Sequence, residues 1–228
     1  MTGAPAKVTI GEIRSNQRGF AQLASLAATL DNHRLDTIDV DFSACTWFDA
    51  NMSAPLGAVF AHAVDELNTL KPGGLRSSIE TILAKNEFLT GFGFPERIDT
   101  HGTTIPYRRF SATDDRYFAA YLNKHLRGKD LPIMSEALSQ RFKNSILEIF
   151  VNATMHADST LGIFSCGQYF PQQHRLDFCV ADAGIGIRRK IYKELGLKMN
   201  SDKAIEWALH FTEMIAGVAS LRVVGRRV

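Results

Sequence analysis

The sequence predicts a mixed α/β fold, an α+β sandwich built over two successive regions, and three observations predict it. The first third alternates short strand patterns with helical ones. A long helical pattern lies further along. Two strands of strict apolar alternation follow it directly. Composition agrees with a packed interior, since 45% of the 228 residues are hydrophobic and 22% charged. That length suits one large or two small domains.

Taken in order, Lys7–Ile10 reads as a short strand. Arg18–Leu30 carries Phe20, Leu23, Leu26, Ala27 and Leu30 at helical spacing. Thr37–Phe42 places Ile38, Val40 and Phe42 on one face, as a half-buried strand does. Asp49-Ala50-Asn51 offers helix-starting chemistry, Pro55 suits a first turn, and Leu56–Leu70 continues as helix. Lys71-Pro72-Gly73-Gly74 breaks the chain, and Ser77–Phe88 is helical again. Gly91–Pro106, rich in Gly, Pro and Thr, reads as the boundary between a domain over 1–106 and another over 107–228. Beyond it, Asp114–Leu126 is helical. Ser135, with Glu136 behind it, caps a long helix reaching about Ala157. Thr160–Phe170 and Arg175–Asp182 form two strands joined by Pro171-Gln172-Gln173-His174. Arg188–Leu195 and Asp202–Ala208 close the series as helices.

The net charge of +2 gives no general attraction to nucleic acid or membrane. The basic run of Arg222, Arg226 and Arg227 reads as a solvated end rather than a nucleic-acid patch. Cys45, Cys166 and Cys179 lack C-x-x-C spacing, so neither a zinc site nor a disulfide framework is expected. No window holds eighteen consecutive apolar residues and the start has no signal-peptide core, so a cytoplasmic protein without a membrane span is expected.

Two short patterns carry chemistry. On the long helix, Phe142, Ile146, Ile149 and Ala153 form the expected buried stripe. Glu148, Asn152 and His156 are spaced by four and form a polar stripe beside it. An Asn oxygen is a neutral hard ligand for Mg²⁺, an ion that takes its remaining ligands from water and phosphate. A carboxylate one turn earlier is placed to activate a nucleophile, and a His one turn later to donate to a phosphate oxygen. The second pattern is Asp182-Ala183-Gly184-Ile185-Gly186. Leu176, Phe178 and Val180 share a strand face that Asp182 continues, so a carboxylate acceptor stands at the core edge. Gly184 and Gly186 permit positive φ and close approach of the backbone to a ligand. Each pattern alone is common, on solvated helix faces or at turns after strands.

Their order and spacing resemble the GHKL ATPase superfamily, the Bergerat fold of histidine kinases, gyrase-type topoisomerases, Hsp90 chaperones and anti-sigma serine kinases. The resemblance covers about Ser135 to Leu209. It implies ATP and Mg²⁺ as cofactors, Glu148 as general base, Asn152 as metal ligand and Asp182 as adenine acceptor. It further implies that His156, Gly184 and Gly186 line the nucleotide and open its lid. The family's second glycine box, G-x-G-L or G-x-x-G, has no counterpart, because Gly217 and Gly225 are isolated. The expectation is a domain lacking its last elements, through a truncated or frame-shifted end or as a degenerate variant.

A second resemblance lies in Thr37–Gly57. The strand into Asp41-Phe42-Ser43, then Trp47-Phe48-Asp49, then a helix with Pro55-Leu56-Gly57, resembles a STAS domain. Ala50 stands where those domains carry a phosphorylated serine. Ser53 lies nearby, with a helix-capping hydroxyl as its plainer reading. Together the resemblances imply an ATP-binding regulatory protein, an anti-sigma-type serine kinase or ATPase switch, acting on a regulatory protein partner and able to form a homodimer. The alternative is a non-catalytic interaction module with a vestigial nucleotide pocket.

Overall fold

The computed structural model describes residues 5–126, 136–156 and 160–211. Its fold is mixed α/β, with two three-stranded sheets and seven labelled helices among the described residues. The first sheet is wholly parallel, in the order β1 (Ala6–Thr9), β2 (Thr37–Asp41), β3 (Thr69–Gly73). Parallel neighbours need crossovers, which α1 (Gln17–Leu30) and α2 (Ser53–Asp65) supply. Asn16 starts α1 by accepting from the Gly19 amide at 3.0 Å. Leu23, Leu26 and Leu30 of α1 meet the fully buried Ile38 and Val40 of β2 in one core. Then α3 (Ser77–Lys85) adds Ile79 and Leu83 to it.

The helix expected over Leu56–Leu70 is shorter at its C-terminal end. It stops at Asp65, and the stretch read as a break is β3. Pro72 pairs opposite Val40 within that strand. Pro lacks a ladder donor and is tolerated on edge strands, and β3 is an edge of this sheet.

The second sheet is antiparallel, in the order β4 (Thr104–Phe110), β5 (Ile163–Phe170), β6 (Arg175–Asp182). On one face lie α4 (Asp115–Leu126) and α5 (Glu136–His156). Phe118 and Tyr121 of α4 and Ile146 and Phe150 of α5 pack with Phe110, Ile163 and Phe178. Phe118 and Phe150 stack at 4.0 Å with 11° between ring planes. On the opposite face lies α2, whose Ala54 and Ala58 pack with Phe164 and Cys166. A Cβ at Gly57 would overlap the Tyr107 ring, so glycine permits the close approach. Thus α2 stands between the two sheets, with Leu56, Phe60 and Ala63 in the first core and its small residues against the second sheet.

The expected boundary at residue 106 falls inside β4. The stretch before it folds back: Phe92 meets Phe60 edge-on at 5.8 Å, and Phe92 and Phe94 pack on the first core. Asn86, wholly buried, ties the regions together. Its amide donates to Ser53 Oγ at 2.8 Å and approaches Cys166 Sγ at 3.6 Å, and its backbone carbonyl accepts from the Tyr107 amide at 2.7 Å. Ser53 is therefore no capping hydroxyl and is 0% exposed. Its oxygen serves Asn86, and the N-terminus of α2 has no side-chain cap. Cys166 and Cys179, far apart in sequence, are direct partners across β5 and β6.

Candidate functional site

The polar stripe of α5 sits on a helix whose buried side differs slightly from the expectation. Ile146 and Phe150 are fully buried, while Phe142 and Ala153 pack partly against the same core. Ile149 is only half-buried, so the stripe centres nearer Phe150 than the spacing suggested. At about 100° per residue Glu148 and Asn152 stand only about 40° apart, both turned away from Phe150, with Asn152 the nearer of the two to Ala153. Burial follows: Asn152 is half-buried and Glu148 exposed. His156 ends α5, and its side chain lies outside the described residues. Among the described residues no side-chain hydrogen bond engages the Asn152 amide.

β6 delivers Asp182 by strict alternation. Leu176, Phe178 and Val180 belong to the core shared with α5, while Cys179, Ala181 and Ala183 face α2. With a period of two, Asp182 takes the α5 side of the sheet. It is half-buried, and its Oδ1 accepts from the Gly184 amide at 2.8 Å, which fixes the carboxylate at the start of the turn. The two candidate polar groups, Asn152 and Asp182, thus sit on elements that share one core. Glu148, on the same helix one turn before Asn152, is exposed.

The turn uses glycine at one position. Gly186 has φ 77° with open space around a notional Cβ, whereas Gly184 is not among the positive-φ glycines. From Gly186 the chain enters α6 (Ile187–Leu195), and Gly196 at φ 69° ends that helix before α7 (Ser201–Phe211). Against α6 lies a cleft of about 250 Å³ lined by Arg188, Arg189, Tyr192 and Lys198. Two cations directly after the glycine turn, with a third just past α6, are a feature the motif spacing does not announce. The Arg188-Arg189 pair after Gly186 was its visible signal.

Among the described residues no group of three or more His, Cys, Asp or Glu side chains gathers as a metal centre. Mg²⁺ held by one amide oxygen, water and phosphate would need none. Among the same residues no helix is long and apolar enough to cross a membrane. Gly217, Gly225 and the arginines at 222, 226 and 227 lie outside the described residues. Compared with models of protein families, with curated proteins and with solved structures, the chain finds no match.

Proposed function

We propose that the chain is an ATP-binding regulatory protein of the GHKL type, with its nucleotide held between α5 and the end of β6. One observation carries the reading: Asn152 and Asp182 are both half-buried polar groups, on two elements that contribute to one core. Asn152 would offer its amide oxygen to Mg²⁺, and Asp182 would accept from the exocyclic amine of adenine. Gly186 lets the backbone pass close by, and the cations on and after α6 would face phosphate charge. Bound ATP with Mg²⁺ would supply a terminal phosphate for hydrolysis or transfer to a partner hydroxyl. The parallel β1-β2-β3 sheet, with α2 following β2, supports a STAS-like first region that meets a regulatory protein partner.

A second reading has an observation of its own. Glu148, cast as general base, is exposed, whereas Asn152 one turn on is half-buried. That favours nucleotide binding without turnover, or a non-catalytic interaction module. Calorimetric titration with ATP and Mg²⁺ separates the cases. Saturable binding lost in both Asn152→Ala and Asp182→Ala supports the pocket, and turnover that falls in Glu148→Gln would support kinase or ATPase chemistry. An intact chain that takes up no nucleotide leaves the interaction module as the better account.

A further inference from the structure

A second cleft, of about 420 Å³, opens at the other end of the second sheet. Three segments line it: the loop after β1, the loop after β2, and the β5–β6 hairpin end. Two of these follow the carboxyl ends of parallel strands, where open α/β sheets bind their ligands. The loops are clipped together before any ligand arrives. The Ile13 amide donates to the Trp47 carbonyl at 2.9 Å, and the Asp49 amide donates to the Ile13 carbonyl at 2.9 Å. Asp49 then accepts from the Ser15 amide and the Trp47 indole, both at 2.7 Å.

One group in this frame is left over. Asn51 lines the cleft, is only 4% exposed, and donates to Ser15 Oγ at 3.0 Å. Its Oδ1 is buried with no hydrogen-bond partner. Turning the amide over would exchange the two atoms and leave the amino group unpaired instead. A buried polar atom without a partner is destabilising, so a ligand that supplies one is favoured.

The charges around Asn51 state what that ligand carries. Arg14 lies over the Trp47 ring at 4.6 Å and Arg175 over the Phe170 ring at 4.3 Å. Arg14 is held through Nε by Glu12, and Arg175 through Nε by Asp177 at 3.1 Å. The Nη groups remain as carboxylate donors. Two cations and the carboxylates of Asp49 and Asp177 therefore line one small space. Such a space repels a bare anion or a bare cation less than it rewards a molecule with both charges.

We propose that this cleft binds a free α-amino acid, its ammonium toward Asn51 and Asp49 and its carboxylate toward Arg14 and Arg175. An ammonium brings three donors, one of which meets the unpaired Asn51 oxygen. The rings of Trp47 and Phe170 border the same space for the amino-acid side chain.

The test is calorimetric titration of the intact chain with each standard L-amino acid, with the N-acetyl form of any that binds, and with two variants. Binding by at least one amino acid with a Kd below about 1 mM is expected. Asn51→Ala and, separately, Arg175→Gln should each weaken it by about tenfold or more, and the N-acetyl form should lose binding similarly. Arg175 is well exposed, so its variant reports on the ligand even if Asn51→Ala impairs folding. The proposal is overturned if no amino acid binds, if the N-acetyl form binds equally well, or if Arg175→Gln binds like the parent. ATP titration reads α5 and β6, so the two sites fail or succeed separately.

Discussion

Asparagines are treated differently in the two regions, and the difference separates residues that hold the fold from those offered to a ligand. In the first region Asn68 accepts from the Asp36 amide at 3.0 Å and donates to the carbonyls of His33 and Ala63 at 2.9 and 3.0 Å. Asn86 likewise accepts from the Phe88 amide and donates to Ser53. Both are buried and spent on the fold. In the second region Asn152 is half-buried, with its amide uncommitted among the described residues. Asn51 falls between these cases, as deeply buried as Asn68 but with one atom unpaired. Burial together with pairing, rather than residue type, tells the roles apart.

The largest expected effect tests whether the regions are separable at all. Phe150→Ala removes a ring stacked on Phe118 and should cost about 3–5 kcal/mol in chemical denaturation. With α2 shared between the cores, a single transition should report loss of both sheets; two resolved transitions would break the link. Next, Asn86→Ala should cost about 2 kcal/mol, because the Phe88 amide loses its buried acceptor. A fall as small as that of a surface substitution would mean that pairing does not mark structural amides. Asn152→Ala should then shift stability by no more than about 0.5 kcal/mol while abolishing nucleotide binding. A large destabilisation would place it with Asn86 instead.

The smallest effect is electrostatic. Lys7 beside Asp41 at 2.8 Å, helped by the Ser43 amide and hydroxyl, lowers the Asp41 carboxyl to about 2 from 3.8. Its folded-state pKa lies below the unfolded value. The contribution is therefore full above the unfolded value and disappears as pH falls through the folded one. Thermal midpoints of Asp41→Asn and the parent should differ at neutral pH and converge near pH 2. Because Lys7 is well exposed, added salt should narrow the gap.

Much of this was legible in the sequence where one periodicity governs a segment. Arg175–Asp182 alternates without interruption and is β6 over those same residues. The boundary reading of Gly91–Pro106 hides the start of β4, which runs over Thr104–Phe110. Its pairing with β5 shifts register between Ile105 and Arg108, which spoils the alternation that marks a strand. Pro72 and Gly73 hid β3, because edge placement is a property of the assembled sheet. Phe150 was missed on α5 because Ile149 beside it satisfied the expected spacing equally well, and only the facing Phe118 decides between them. For the candidate site, motif spacing singles out Asn152 and Asp182, which the structure puts half-buried on α5 and β6. The exposure of Glu148 and the cross-strand pairing of Cys166 with Cys179 are not legible there, since both depend on which surfaces meet.

The position of α2 has a mechanical corollary. A rigid rod clasped by sheets on both sides cannot move against one without disturbing the other. Ala54, Gly57 and Ala58 leave no compressible side chain to absorb a displacement, and interiors this tight transmit strain. Pressure applied at the loop after β2, where that rod begins, would be felt along β5 and β6 as a change of sheet spacing.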